Sequence, residues 1–191
     1  ADQLFEVIRE LRANVALLAY DHEQGGKLKA QLIEKDKILK IGLIAKNEKD
    51  KNFAGAGKGY ESFALDSSDK VIAEKAFASS MSSYLKAEDS DGMLRVAAVW
   101  LKRYPKSSNA IDSIRSGATI ALIQGHVEQS SKLFERLGKE ASDEGSLITA
   151  AKLSEASGDR AHSEGLYSNY LSLYPKSSER WSVVLMLAQM K

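Results

Sequence analysis

Both prolines of the 191-residue chain lie in two copies of one pentapeptide, YPKSS, at residues 104–108 and 174–178. Proline ends a helix because it lacks a backbone N–H and its ring clashes with the preceding turn. The remaining chain is free to form long helices, and its many Ala, Leu, Lys and Glu residues favour them. The copies are seventy residues apart, counted from Tyr104 to Tyr174. This spacing predicts an all-α fold with a repeated unit.

Charge and composition limit the classes of partner. The net charge is +1, which gives no overall field to attract nucleic acid or anionic lipid. Eight lysines between residues 27 and 52 fit a solvated helical face, because nucleic-acid readers usually add Arg and aromatic residues. The absence of cysteine excludes disulfides and thiolate metal sites. No apolar run approaches the roughly 20 residues of a membrane span, so we expect no such segment.

The first 46 residues are predicted to be an N-terminal helical segment. A heptad stripe, which we expect to support a homo-oligomer, consists of Leu4, Ile8, Leu11, Val15 and Leu18. Paired glycines at Gly25 and Gly26 are expected to end or sharply bend this helix. A second helical pattern follows at 27–46. The segment is therefore either a helical hairpin or a coiled coil with a break.

Residues 47–68 are polar and rich in glycine, and they show no sustained apolar period. This composition predicts a linker between domains.

A regular region begins at residue 69 and continues to residue 191. Short polar breaks, rich in the residues that cap helices, separate apolar periodic stretches. The predicted helices cover 69–87, 90–104, 108–124, 127–140, 144–157, 160–174 and 178–190. Short antiparallel helices at a near-constant period make a solenoid, here of about three and a half units.

The stretch 144–177 resembles a tetratricopeptide repeat (TPR), a helix–turn–helix unit of 34 residues. Counted back from Pro175, the SGD turn at residues 157–159 occupies the glycine-acidic turn of the family. Tyr167 matches the large aromatic residue of the second helix, and Trp181 matches the large residue that begins the next unit. The resemblance implies a helical-hairpin solenoid that binds partners in a groove.

A narrower resemblance concerns the bacterial envelope. The pattern of an aromatic residue and a leucine followed by Tyr-Pro-x-Ser resembles the pattern in TPR proteins of outer-membrane assembly and of the periplasmic Tol-Pal-associated family. The small first residue, Ala1, is also typical of a chain that follows signal-peptide cleavage. The resemblance and this residue together imply a periplasmic location. A cytoplasmic location is the alternative.

Catalytic and cofactor motifs find little support. The AGAGKGY segment at 54–60 has neither the spacing nor the Ser or Thr of a phosphate loop around Lys58. His22, His126 and His162 have no second ligand at metal-binding spacing on the same helix face. No G-x-S-x-G elbow occurs. We therefore expect a non-catalytic protein without a cofactor or metal.

The repeat register predicts the residues that face the groove. They are Asp112, Ser116, Thr119, Ile148, Lys152, Glu155, Ser182, Met186 and Gln189. We expect the groove to bind a partner peptide or protein, and the chain to act as an interaction scaffold in an envelope assembly. Two alternatives stay open: a cytoplasmic chaperone or cargo adaptor, and a nucleotide-dependent regulator that uses Lys58.

Overall fold

The computed structural model describes residues 22–190, and nine α-helices cover most of that range, with no strand among the described residues. The helices are α1 (His22–Lys49), α2 (Phe53–Asp66), α3 (Lys70–Lys86), α4 (Ser90–Arg103), α5 (Ser108–Ile123), α6 (Val127–Glu140), α7 (Glu144–Ala156), α8 (Arg160–Leu173) and α9 (Arg180–Gln189). The chain is all-α, as its sequence predicts.

Polar capping residues set the helix boundaries after residue 68. The seven helices predicted there are confirmed, and each end lies within two residues of the prediction. Before α3, the Asp69 side chain accepts a hydrogen bond from the Ile72 N–H at 3.1 Å. Before α4, Asp89 accepts one from the Gly92 N–H at 2.8 Å. Each cap satisfies a free N–H and places negative charge at the positive end of the helix dipole.

The predicted helix end at Gly25-Gly26 is wrong, because α1 continues through both glycines to Lys49. Each glycine costs a helix about 1 kcal/mol relative to alanine, which weakens a helix without necessarily breaking it. The predicted oligomerisation stripe lies outside the described residues: Leu4, Ile8, Leu11, Val15 and Leu18. Its role stays a prediction.

A helix, α2, occupies most of the segment for which the sequence predicts a glycine-rich linker. The Asn52 side chain caps it by accepting the Gly55 N–H at 3.1 Å. Gly57 lies so close to the Tyr84 ring of α3 that a Cβ there would be 2.8 Å from the ring. The glycines therefore allow close contact between helices, and this packing outweighs their low helix propensity.

Short connectors determine how the helices pack. Each helix contacts the next one along the chain, and connectors as short as residues 50–52 join them. Such connections place consecutive helices antiparallel. Further contacts join α2 to α4, α3 to α5 and α4 to α6. We call the odd-numbered helices the first helices and the even-numbered ones the second helices.

Large aromatic side chains fill the core between the two sets of helices. Trp100 of α4 stacks on Phe77 of α3 with ring centroids 5.6 Å apart. Both are fully buried, as are Ala97 of α4 and Tyr167 of α8. Side chains of this size dominate the energetics of a small core. The apolar faces of α4 and α8 therefore point into the core.

Each YPKSS copy joins a second helix to the next first helix and also contacts the preceding first helix. Ser107 caps α5, and its hydroxyl also donates to the buried Glu74 carboxylate of α3. Seventy residues later, Tyr170 donates to Glu144 of α7 and contacts the Ser177 hydroxyl at 2.6 Å. Hydrogen bonds from Ser177 and Tyr170 lower the pKa of Glu144. The motif thus ends one helix and fastens the connector to the preceding first helix.

The last helix, α9, leaves apolar side chains in solvent. Trp181 is 78% exposed and Leu185, about one helical turn later, is 60% exposed. Val183 of the same helix is fully buried. One face of α9 therefore packs on the fold, whereas another is apolar and uncovered in the described part of the chain.

Candidate functional site

An apolar cleft of about 330 Å³ lies between α1 and α3, and side chains of α2 also line it. Its apolar wall includes Ile41 and Ile44 of α1, Phe63 of α2 and Ile72 of α3. Ile41 is 54% exposed and Ile72 is 46% exposed. Because water contacts these apolar groups, an apolar side chain that filled the cleft would be favoured. We call this site the first cleft.

Four polar residues line the same cleft: Glu48, Tyr60, Lys75 and Ser79. The Tyr60 hydroxyl donates to Glu48 Oε1 at 3.0 Å. Burial, and then the hydrogen bond to Glu48, raise the pKa of Tyr60, so its hydroxyl stays neutral near pH 7. Lys75 of α3 is exposed beside them. The first cleft therefore offers a carboxylate and a cation around an apolar centre.

A second cleft, of about 320 Å³, lies between α3 and α5. Met81 and Leu85 of α3 and Ile120 of α5 supply its apolar part. Its polar part consists of Ser82, Asp112, Ser113 and Ser116. The Asp112 carboxylate accepts a hydrogen bond from Arg115 at 2.9 Å. This second cleft combines hydroxyl groups with a smaller apolar surface.

The two clefts lie on either side of α3. The α3 residues that line the first cleft fall between 72 and 79, and those that line the second fall between 78 and 85. Exposed isoleucines occur in both, namely Ile41 and Ile72 in the first cleft and Ile120 in the second. We call the strip that contains both clefts, across α1, α3 and α5, the groove.

The structure brings two of the predicted binding residues into the groove. Asp112 and Ser116 both line the second cleft. Thr119 of the same helix is exposed but lines neither cleft, and its hydroxyl donates to the Arg115 carbonyl at 2.9 Å. On α5, therefore, part of the predicted set lies at a concave site.

The predicted residues of α7 and α9 line neither cleft. On α7, Ile148 packs partly buried against the core, whereas Lys152 and Glu155 are exposed. On α9, Met186 also packs against the core. Ser182 and Gln189 are exposed. Their role in binding stays a prediction.

The first cleft has no counterpart among the predicted sites, because the sequence predicts a linker in place of α2. The sequence nevertheless contains a weak signal for a helix in this segment. Gly57, Glu61 and Ala64 are buried in α2, and their spacing of four and then three residues is that of one helix face. Small residues at these positions concealed a pattern that large apolar residues would have shown.

A partly buried polar network ties α2 to α3 and α4. The Tyr84 hydroxyl donates to Glu61 at 2.8 Å, and Arg95 donates to both the Glu61 carboxylate and the Tyr84 hydroxyl. Burial, followed by the Glu61 hydrogen bond, raises the pKa of Tyr84 to about 12. The hydrogen bond with Glu61 is the main cause that raises the pKa of Arg95. The network positions α2 without reaching either cleft.

The glycine-rich segment around Lys58 is helical and is not a loop. Gly55, Gly57 and Gly59 all lie in α2. A Cβ on Gly59 would be 2.5 Å from the Ile44 side chain, so this glycine also serves close packing. N–H groups within a helix bond to its own carbonyls and cannot cradle a phosphate. Lys58 itself is exposed.

The side chains of two histidines, His126 and His162, lie in the described part of the chain. His126 precedes α6 at the cap position, and the His162 ring lies 2.8 Å from Glu135 Oε2. Within residues 22–190 no three His, Asp or Glu side chains are arranged to hold a metal ion. None of the helices described is both long and apolar enough to cross a membrane.

Comparison with protein-family models gave no match, and comparison with curated proteins found no relative.

Proposed function

We propose that the chain is a TPR-like scaffold that binds a protein partner in the groove. The observation that carries this proposal is the pair of clefts on either side of α3, with Ile41, Ile72 and Ile120 exposed to solvent. Apolar side chains gathered at concave sites with a few polar groups are typical of binding surfaces. The proposed role is binding rather than catalysis.

A repeated backbone geometry supports the TPR-like solenoid. Three successive first helices begin at Lys70, Ser108 and Glu144, so the unit repeats after 38 and then 36 residues. One left-handed residue lies between the helices of each pair α1/α2, α3/α4, α5/α6 and α7/α8: Lys51, Glu88, Gly125 and Gly158. Units of this length, each packed on its neighbours, are characteristic of helical solenoids.

The two clefts suggest what the partner presents. Each has an apolar part that suits an apolar side chain. We therefore propose a peptide or helix that carries two apolar side chains, one for each cleft.

Polar contacts would then orient that partner. Lys75 beside the first cleft suits a carboxylate, and the serines of the second cleft suit main-chain groups of a bound peptide.

The resemblance to envelope TPR proteins supports a periplasmic location for this scaffold. A cytoplasmic chaperone or cargo adaptor with the same groove is the alternative. Fractionation of source cells with an antibody to the chain separates the two. Recovery with periplasmic markers supports the envelope scaffold, and recovery only with cytosolic markers supports the adaptor.

Site-specific photocross-linking tests the groove itself. A benzoyl-phenylalanine in place of Ile72 is expected to capture a partner in extracts of source cells. The matched control carries the probe at Leu173, an exposed apolar residue of the second helix α8. A product formed from position 72 but not from 173, and weakened by Ile41→Asp, supports the groove. Equal products from both positions, or none from either, contradict it.

A further inference from the structure

We propose that the uncovered apolar face of α9 is a dimer interface, which packs antiparallel against the same face of a second copy of the chain. The face consists of four residues at positions i, i+3, i+4 and i+7: Trp181, Val184, Leu185 and Ala188. All are exposed except Val184, which is half-buried. At 100° per residue they share one arc of about 100°. We call this arc the α9 stripe.

Other side chains of α9 hold the helix on the fold. Val183 is fully buried and Met190 is 5% exposed, and both lie about 180–200° around the helix from Trp181. The Arg160 guanidinium donates to the Met190 carbonyl, which fastens the end of α9 to α8. None of the four stripe residues belongs to the core that residues 22–190 form. The α9 stripe is therefore apolar without serving the packing of its own chain.

The α9 stripe carries no charge that would select a charged partner. Every side chain from Trp181 to Met190 is neutral. Arg180 donates to the Leu171 carbonyl at 3.1 Å and lies about 100° around the helix from Trp181. Two copies of the stripe can therefore meet without opposing like charges. A centre that lacks charge and contains an aromatic residue is typical of protein interfaces.

The order of large and small residues suits an antiparallel copy. When two α9 helices pack about a two-fold axis between residues 184 and 185, Trp181 of each copy lies opposite Ala188 of the other. Val184 of each copy then lies opposite Leu185 of the other. The largest residue fills the space over the smallest at both ends, and one patch serves both copies, as an isologous interface requires. A parallel pair would instead place the two tryptophans against each other.

The size of the α9 stripe determines how stable the dimer is. An aromatic side chain buries about 150–250 Å², so two tryptophans with the six smaller residues supply about 600–1,000 Å². Stable interfaces bury about 1,200–2,000 Å². The dimer is therefore weak and forms as the concentration rises. It does not rest on the proposed function, because α9 lines neither cleft.

Trp181 reports the interface directly in the full chain. The chain has two tryptophans, and the other, Trp100, is fully buried, so a change of fluorescence with concentration comes from Trp181. From about 1 to 300 µM, the emission is expected to move to shorter wavelength and its quenching by acrylamide to fall. Sedimentation velocity should show a weight-average mass that approaches twice its value at the lowest concentration.

Variants of exposed residues locate the association. Leu185→Asp should weaken it by about tenfold or more, because it places an unpaired carboxylate in an apolar interface. The matched control is Ile123→Asp, at an apolar residue of α5 that is 79% exposed, and it should associate like the parent. Ala188→Trp should also weaken the dimer, whereas Trp181→Ala in the same chain should restore it. Circular dichroism checks the fold of each variant.

Association that Leu185→Asp weakens and Ile123→Asp leaves unchanged supports the α9 dimer. Constant Trp181 fluorescence and constant mass over the whole range would overturn it. A mass increase that persists in Leu185→Asp would assign the association to another surface, such as the N-terminal heptad stripe, and would also overturn it. Failure of the Trp181→Ala change to restore Ala188→Trp would refute the antiparallel pairing. This last pair of variants also decides the matter if Leu185→Asp fails to fold.

Discussion

Replacing Gly92 with alanine is expected to destabilise the fold through the Tyr84 ring. That ring lies between Gly57 of α2 and Gly92 of α4, and a Cβ on Gly92 would be 2.4 Å from ring Cδ1 and 2.6 Å from Cε1. Carbon atoms in good contact are about 3.5–4.0 Å apart, so the ring would have to move by about 1 Å. Its hydroxyl is held by Glu61 and Arg95, and the side chain is fully buried.

The size of the effect follows from three contributions. Overpacking a core costs about 1–3 kcal/mol, and weakening a hydrogen bond to a charged group costs about 1.5 kcal/mol. Alanine gains about 1 kcal/mol over glycine in helix propensity. The expected net loss for Gly92→Ala is about 1.5–3.5 kcal/mol. Gly165 of α8 is the matched control, because nothing lies within 4 Å of its Cβ position. Gly165→Ala should stabilise the chain by about 0.5–1 kcal/mol.

Urea unfolding followed by circular dichroism measures both free energies of unfolding. A double variant strengthens the test, because the cost of Gly92→Ala should largely disappear when Tyr84 is also replaced by leucine. If Gly92→Ala were as stabilising as Gly165→Ala, the close approach of Tyr84 to α4 would be refuted.

Three further variants test other parts of the structure. Ser107→Ala removes the α5 cap and the donor to Glu74, and it should cost about 2 kcal/mol in urea unfolding; a loss under about 0.5 kcal/mol would contradict the contact. Burial favours the neutral form of Asp143, but hydrogen bonds, chiefly from Arg115, outweigh it and lower the pKa below the ordinary 3.8. The ionised Asp143 carboxylate therefore stabilises the fold above pH 3.8, and this stabilisation is lost as pH falls through the lowered pKa. The free energy of unfolding should fall less steeply toward acid pH for Asp143→Asn than for the parent chain. Identical pH profiles of the two free energies would refute this. Calorimetry with ATP and GTP should show no saturable heat in the parent chain, and binding that Lys58→Ala abolishes would restore the nucleotide alternative.

The helices after residue 68 could be predicted because their boundaries are local. A cap such as Asp159 accepts the N–H of His162 three residues later, and Gly158 adopts a positive φ of 87° before it. The helix cap and the left-handed glycine each depend on residues only a few positions apart, so the sequence shows them directly.

The α2 helix could not be predicted in this way because distant contacts stabilise it. Its glycines disfavour a helix locally, and the contacts of Gly57 with Tyr84 and of Gly59 with Ile44 join segments that are far apart in the chain. The first cleft depends on that placement, so it was missed. The second cleft lies between α3 and α5, two helices whose bounds the sequence predicts, and two of the predicted binding residues, Asp112 and Ser116, line it.

The affinity of the partner captured at Ile72 is the most direct measure of whether the groove is the binding surface. Calorimetry with the purified partner should show at least tenfold weaker binding for Ile72→Asp, which corresponds to about 1.4 kcal/mol. The matched variant Leu173→Asp, also an exposed apolar residue, should bind like the parent. Equal affinity of the parent and Ile72→Asp, or an equal loss in both variants, would contradict the groove as the binding surface.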